Sequence, residues 1–517
     1  MRSSTNRTAS TIRALRRLAA AVVVSVFALI APAYAQVDTD LDGVDDAQEA
    51  IDGTNPQNPD SVLEHGGSEY CLEWNGGLNR LQQRLDLRNA SCSELTVQVS
   101  LRVDNGSVAS TQDVVLAPYE QNQIIINTLE GYDRGSAGQV CATIIVGEPD
   151  SLDAQMGHYR LQNGSFQFAF AVPYTPGRTG NQHLTYNRDF PALREAKRGS
   201  SVMTTVQVFN EESTTQLGTA VFYRSDGSVA SQVLLTIPGK GRAELSLRGL
   251  VGRNRVGLIE WQPALPDKVF RLSQLREYLD DRSALQSAIS IVAHRPSGAV
   301  QASPFRTGSR ATTVELTNTL ATPTTVILSA YRANGRKAGR SRVRLAPRQT
   351  KVVTLWRLLR KGLGNVKIEP TDPRSVIART FEYAVHGEKI VSLAHSAALK
   401  SGFGATMSTD YDNRLGRCRM RLANLSATSQ TATVEMLRSD GSSVPIPSLI
   451  TVPGNGAVDV NVCSNDTVSG SGSITLQPAV SQTIVGELLE RNRRSSAAVR
   501  IPLVGRNACT PTASTDQ

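Results

Sequence analysis

The sequence predicts an all-β protein of four tandem β-sandwich repeats behind a short acidic segment. Three observations predict it. First, period-2 apolar alternation runs through the body, as in Leu95-Thr-Val-Gln-Val-Ser-Leu101 and Thr433-Val-Glu-Met-Leu437, the pattern of half-buried strands. Second, Asn89, Asn210, Asn318 and Asn424 each stand seventeen residues before a turn glycine, Gly106, Gly227, Gly335 and Gly441. Third, a proline follows eleven or twelve residues later, at Pro118, Pro238, Pro347 and Pro453. A period of ~105 to 120 residues is the size of a domain, not of a solenoid unit.

Each unit reads the same way. The strand after the asparagine ends at Asp104-Asn105-Gly106, Ser225-Asp226-Gly227, Ala333-Asn334-Gly335 or Ser439-Asp440-Gly441. These Asn-Gly and Asp-Gly pairs supply the positive φ of a tight hairpin. The proline suits the first residue of the next strand or an edge, ahead of runs such as Ala243-Glu-Leu-Ser-Leu247. Further β-rich runs follow at Val140–Val146, Gly257–Trp261, Val366–Glu369 and Ser473–Leu476, with closing strands at Phe166–Val172 and Ala497–Ile501. About seven short strands per unit is the pattern of a sandwich. Leu272–Leu279 reads as a short helix or an irregular strand, and Trp356–Leu363 as a helical turn. The expected divisions are 1–35, 36–62, sandwiches over 63–195, 196–305, 306–405 and 406–509, and a tail over 510–517.

Residues 1–35 read as a cleaved signal peptide. Arg13, Arg16 and Arg17 precede an apolar run from Leu18 to Ile30, and Ala33-Tyr34-Ala35 fits the cleavage site. The run is short for a membrane span, and no later one reaches about 18 residues, so no transmembrane anchor is expected. The expected location is secreted, periplasmic or at the cell surface. The formal charge of +9 includes five arginines of that segment. Six cysteines in an exported chain predict disulfides. They cluster as Cys71, Cys92, Cys141 and Cys418, Cys463, Cys509. Either each cluster keeps a free thiol or one bridge joins the two ends.

The sharpest chemical motif begins at the third residue after the expected cut. Asp38, Asp40, Asp42, Asp46 and Glu49 occupy positions 1, 3, 5, 9 and 12 of a loop with Gly43 at position 6 and the Val44 carbonyl at 7. Hard Ca²⁺ takes six to eight oxygen ligands in that arrangement. The loop runs on into Gly53-Thr54-Asn55-Pro56 and Asp60. Residues 38–60 therefore resemble a bacterial thrombospondin type 3 repeat, which implies a calcium-binding, non-catalytic module of an extracellular protein. That family stacks its repeats in tandem, whereas one copy stands here. The expected affinity is about 10⁻⁴ to 10⁻³ M, which would order an N-terminal arm by about 1.4 kcal/mol at ~1 mM calcium. The body resembles bacterial secreted immunoglobulin-like β-sandwich domains, an architectural likeness that implies no single function.

A second candidate lies in the basic third repeat, where residues 306–400 carry 18 Arg/Lys against five Asp/Glu. Arg336, Lys337, Arg340, Arg342, Arg344 and Arg348 crowd one stretch, and Arg340, Arg342 and Arg344 alternate onto one strand face. That face suits an acidic glycan or cell-surface polyanion. It equally suits a charged edge that blocks strand pairing. Nucleic acid is not expected: aromatics are 5% and no binding motif is present. The histidines His65, His158, His183, His294, His386 and His395 form no H-E-x-x-H, and no G-x-S-x-G elbow occurs. Carboxylates gathered by folding would be the route to a glycan-active enzyme. The expectation is a non-catalytic exported protein for adhesion, surface structure or recognition. Its alternatives are that enzyme and a periplasmic scaffold.

Overall fold

The computed structural model describes residues 68–506, apart from 79–80, 150, 163–164, 189–200, 253–255, 280–282, 284, 294–295, 297–299, 309, 387–388, 398, 401–405, 413–415, 447–448, 464–469, 481–482, 493–497 and 503. The chain divides into two units, 1–63 and 64–517. The expected signal peptide and calcium loop fall in the first and lie outside the described residues.

The second unit is all-β. Repeat 1 contains β1 (Glu69–Asn75), β2 (Gln82–Asn89), β3 (Leu95–Val103), β4 (Val108–Leu116), β5 (Gln121–Ile125), β6 (Ala137–Val146), β7 (Leu152–Gln162) and β8 (Ser165–Pro173). Repeat 2 contains β9 (Gln182–Asn187), β10 (Ser201–Asn210), β11 (Gln216–Arg224), β12 (Val229–Ile237), β13 (Arg242–Ser246), β14 (Val256–Pro263), β15 (Phe270–Leu279) and β16 (Leu285–Val292). In repeat 3 these become β17 (Gln301–Thr307), β18 (Arg310–Asn318), β19 (Thr324–Arg332), β20 (Lys337–Leu345), β21 (Thr350–Thr354), β22 (Gly362–Pro370), β23 (Val376–His386) and β24 (Lys389–Ala397), with a two-residue β25 (Leu399–Lys400). Repeat 4 has β26 (Thr406–Asp412), β27 (Gly416–Asn424), β28 (Gln430–Arg438), β29 (Leu449–Val452), β30 (Ala457–Asn461), β31 (Ser471–Pro478), β32 (Ile484–Asn492) and β33 (Ala498–Pro502), then β34 (Val504–Arg506).

All four repeats share one antiparallel plan. In repeat 1 the sheet orders are β1-β6-β3-β4 and β5-β2-β7-β8, and the other three repeat them, with a fifth strand, β25 or β34, added beside the first strand in repeats 3 and 4. The connectivity has its own character: β1 lies beside β6 rather than β2. In an antibody domain the first strand pairs with the second. Because β9 pairs with β14 and β17 with β22, the second and third sandwiches begin at their first strands, Gln182 and Gln301. Both starts precede the expected divisions at 196 and 306. Leu272–Leu279 belongs to the strand β15, and the helical turn falls at Leu355–Arg357 as a single 3-10 turn. Among the described residues no helix is long and apolar enough to cross a membrane.

The repeated residues have definite tasks. Each asparagine is fully buried at the end of its strand. The Asn210 side-chain amide donates to the carbonyls of Thr214, Ile237 and Pro238, while its oxygen accepts from the Glu212 N–H. Asn89, Asn318 and Asn424 bond in the same way. One side chain thus satisfies backbone groups that would otherwise be buried unpaired. At the hairpins only the glycine takes positive φ, +85°, +91°, +80° and +79° in chain order. Its N–H bonds back to the residue three before it, as in Gly106 to Val103 at 2.8 Å. These are three-residue loops with a left-handed closing glycine, so the Asn or Asp of each pair does not share the positive φ expected of it. The Asn or Asp before the glycine instead accepts the N–H two residues on, as Asn105 does from Ser107 at 2.9 Å. The prolines stand in a turn before β5, β13, β21 and β30, not in the strand. There Tyr119, Lys240, Arg348 and Asn455 take φ of 54–60°, the third position of a type II turn.

Those two turns meet across repeats and close a ring. The first-strand-residue N–H after each type II turn donates to the preceding repeat's hairpin: Arg242 to Asp104 at 2.8 Å, Thr350 to Ser225 at 3.3 Å, Ala457 to Ala333 at 3.1 Å, and Gln121 back to Ser439 at 2.8 Å. Four head-to-tail contacts return to the starting repeat, the condition under which a heterologous interface makes a closed ring. At the centre β8 lies against β16 and β33, and β24 lies against the same two strands. Along β8, Phe168, Phe170 and Val172 join the core of repeat 2, whereas Ala169 and Ala171 join that of repeat 4. Large residues on one face and small ones on the other let a single strand serve two cores.

Disulfides join Cys71 to Cys141 and Cys418 to Cys463. Cys92 is also disulfide-bonded, and Cys509 lies outside the described residues. At the ring contacts, a Cβ on Gly106, Gly227, Gly335 or Gly441 would fall under 3.0 Å from a carbonyl of the next repeat's turn. Gly227→Ala is therefore expected to lower stability by about 2–3 kcal/mol, from left-handed strain plus overlap with the Pro347 carbonyl. Gly249→Ala, with open space around it, is the control. Chemical denaturation with matched midpoints for the two variants would refute the assignment.

Candidate functional site

The three predicted arginines lie on β20, at the open edge of the sheet β20-β19-β22-β17-β25. Arg340, Arg342 and Arg344 are exposed on one face, opposite Ser329, Ile327 and Thr325 of β19. Alternate residues of a strand are about 7 Å apart, so the row spans about 14 Å. None of the three guanidinium groups has a carboxylate partner among the described residues. The strand is braced from below, because Leu358 packs at Gly339. Two residues back on the same turn, Trp356 is 52% exposed, with the Arg357 guanidinium 5.9 Å from its ring centre.

Arg348 does not join that row. It sits in the type II turn of repeat 3 and reaches repeat 2, 3.2 Å from Glu260. Glu260 also accepts from Tyr223 at 2.9 Å and Asn181 at 3.2 Å, with His183 at 3.5 Å. Burial would raise the Glu260 carboxyl, but His183, Arg348 and Tyr223 outweigh it and hold the group at about 2. The carboxylate thus stays charged and locks one repeat to the next. His158 is enclosed, stacked on Phe170 at 4.4 Å, with neither ring nitrogen hydrogen-bonded. Burial pulls it down to about 3, so it is neutral. The side chains of His65, His294, His386 and His395 lie outside those described.

Sequence reasoning missed the charges buried between repeats. Three residues before the repeated asparagines stand Asp86, Gln207, Glu315 and Arg421. The equivalent positions on the preceding repeat are Glu490, His158, Arg276 and Glu382, of which Arg276 and Glu382 bond their counterparts Glu315 and Arg421. Between repeats 2 and 3, Arg276 grips Glu315 with two bonds of 3.0 Å and donates to the Thr185 carbonyl at 2.6 Å. Between repeats 3 and 4 the signs reverse: Arg421 bonds Glu382 at 3.0 Å, with Glu487 at 3.6 Å and Asp459 at 3.7 Å. Between repeats 1 and 2, Glu73 accepts from Ser273 at 2.9 Å and from Ser290.

The joint between repeats 4 and 1 differs from these. It gathers the acids Asp86, Asp153, Asp410, Asp412 and Glu490 with Arg84 and Arg88. Arg88 bonds Asp153 and Ser408 and lies 3.8 Å from Asp410, while Arg84 bonds Asp412 at 3.1 Å. Glu490 accepts the Asp412 N–H at 2.6 Å, and Asp86 accepts from Gln123 at 2.7 Å. Burial pushes Asp410 up to about 7 against the pull of Arg88. Burial, and then the Asp412 charge, drive Glu490 well above the usual range. All five acids are buried, so folding does gather carboxylates, but not around an open cleft.

The missed signal was in Ser273-Gln-Leu-Arg-Glu-Tyr278. Both faces of β15 are covered, one by the sandwich and one by the neighbouring repeat, which erases the alternation. The predicted calcium ligands Asp38, Asp40, Asp42, Val44, Asp46 and Glu49 lie outside the described residues. Among the described residues, one group of possible metal donors falls within 4.8 Å, Glu69 with Cys71 and Cys141. Both sulfurs are spent in the disulfide, so it offers no metal site.

No protein-family model and no curated protein matches the chain. Solved structures give distant similarities. Native Escherichia coli alpha-2-macroglobulin is 10% identical over 86% of this chain and 30% of its own, with a TM-score of 0.13. A Streptomyces avermitilis alpha-L-rhamnosidase complexed with L-rhamnose is 10% identical over 80% and 55%, at 0.12. A glycosyl hydrolase family 2 member from Bacteroides cellulosilyticus is 7% identical over 84% and 92%, at 0.12. This chain thus spans under a third of the alpha-2-macroglobulin chain, and scores this low carry no functional argument.

The buried pair between repeats 2 and 3 yields a direct test. Arg276→Met strands a buried Glu315 and is expected to cost about 3–5 kcal/mol. Adding Glu315→Leu should restore most of that loss. A double variant as unstable as the sum of the two singles would show that the residues are uncoupled.

Proposed function

We propose that the chain is an exported, non-catalytic, calcium-binding protein of adhesion, surface structure or recognition, whose contact surface is the basic edge of the third repeat. The observation that carries this reading is the row Arg340, Arg342 and Arg344, exposed on an edge strand and without carboxylate partners among the described residues. Three fixed positive charges over about 14 Å favour a ligand with several negative charges in line, such as an acidic glycan or phosphate-bearing surface polymer. The carboxylates gathered by folding are enclosed between repeats, which favours binding over hydrolysis.

The cleaved signal peptide and the calcium loop at residues 38–60 belong to the same proposal. Its support is the spacing of Asp38, Asp40, Asp42, Asp46 and Glu49 and the following Gly53-Thr54-Asn55-Pro56. The disulfides fit an oxidising compartment.

Binding to an immobilised acidic glycan should fall steeply with added salt, because screening shortens the reach of exposed charges. It should weaken at least ~tenfold in the Arg340→Ala/Arg342→Ala/Arg344→Ala variant. Undiminished binding by that variant returns the row to a charged edge that blocks strand pairing. For the loop, calorimetry should show calcium uptake with a Kd of about 10⁻⁴ to 10⁻³ M, lost in Asp42→Ala. Equal heats from both proteins would remove calcium from the account.

A further inference from the structure

We propose that Cys92 and Cys509 form a third disulfide, a reducible clasp that fastens the C-terminal end of repeat 4 to repeat 1 across the seam of the ring. Of the chain's six cysteines, Cys71 is bonded to Cys141 and Cys418 to Cys463. Cys92 is disulfide-bonded as well. A bridge within this chain leaves it one partner, Cys509. Repeats 2 and 3 hold no cysteine, so the bridges belong to the two repeats that meet where the ring closes.

The geometry puts Cys92 at that seam. It lies exposed between β2 and β3, with its sulfur 3.0 Å from the Tyr119 hydroxyl. Tyr119 is the left-handed residue of the type II turn in repeat 1, the turn that meets the repeat 4 hairpin. A Cβ on Gly441 of that hairpin would come within 2.9 Å of the Pro118 carbonyl and 3.6 Å of the Tyr119 Cβ. The other end of the chain arrives at the same joint. β34 pairs with β26, Arg506 opposite Thr406 and Val504 opposite Ser408. The Ser408 hydroxyl accepts from Arg88 of β2 at 2.7 Å, and Cys92 follows Arg88 by one short turn of chain. Cys509 is three residues past Arg506, a reach of about 10 Å at most.

The other three joints are tied by the polypeptide that runs through them, and the clasp gives the fourth a covalent tie of its own. A cross-link over so long a loop removes much of the open chain's freedom. Closing it oxidises two thiols: the S–S bond forms as two protons and two electrons pass to a disulfide-bearing oxidant, whose own S–S bond becomes two thiols. An oxidising compartment supplies that class of reactant. Opening is the reverse exchange, in which a thiolate must reach a sulfur. Cys71, Cys141, Cys418 and Cys463 are buried, whereas Cys92 is exposed. The clasp is therefore the bridge that a reductant in solution opens first.

Mass spectrometry of the full chain, alkylated and digested without reductant, should yield two peptides joined through Cys92 and Cys509 that reduction separates. Cys92 found alkylated, or joined to any other cysteine, including one of a second copy, would overturn the bridge. A dithiol reductant applied to the folded protein should open Cys92 to alkylation at least ~tenfold faster than Cys71 or Cys418. One common rate for all three would contradict a clasp that opens first. Hydrogen exchange reads the seam itself. The Gln121 N–H, bonded to Ser439 across the 4–1 joint, should exchange roughly tenfold faster after that reduction and in Cys509→Ser, while the Arg242 N–H at the 1–2 joint keeps its rate. If Cys509→Ser fails to fold, the reduced wild-type protein gives the same reading. Unchanged exchange at Gln121 would show that the bridge does not hold the ring shut.

Discussion

The structure depends on one backbone contact made four times. A hairpin of each repeat presses its glycine against the type II turn of the next, and the following strand's first N–H bonds back to that hairpin. Three such contacts would leave a chain of sandwiches with two free ends. The fourth, from Gln121 to Ser439, ties the last repeat to the first. Once closed, the ring fixes what each neighbouring surface must be. The centre-facing strand has to serve two cores, as β8 does with its phenylalanines on one side and alanines on the other. The glycine has to remain a glycine for two reasons, its left-handed backbone and the carbonyl against it.

Backbone contacts alone would not distinguish one neighbour from another, since every repeat offers the same two turns. The side chains between repeats supply the distinction. Arg276 meets Glu315, Glu382 meets Arg421, and at the 1–2 joint Glu73 meets Ser273 and Ser290. Placing repeat 4 after repeat 2 would set Arg276 against Arg421, two buried cations. Desolvated pairs of this kind contribute little net stability over apolar packing, yet mispairing them is costly, so they serve order more than strength.

Much of one repeat was legible in the sequence. The buried asparagine, the turn glycine and the proline recur because each answers a local backbone demand that is identical in every copy. The arginine row was legible for the same reason, as alternation on a strand with one solvated face. The ring was not legible. Its joints are built from equivalent positions that carry different residues, so they do not look like repeats. Strands such as β15 lose their alternation because both faces are covered. The sandwich starts at Gln182 and Gln301 were hidden because a first strand that pairs with β14 or β22 has no local mark of its partner. The hairpin type was not legible either, because an Asn-Gly pair serves a two-residue turn and a three-residue loop equally well in sequence.

Small-angle X-ray scattering on residues 64–517 tests ring closure most directly. A closed, compact arrangement of this length predicts a radius of gyration of roughly 22–25 Å. Four sandwiches strung end to end would give roughly 40 Å or more, and that value would contradict the account.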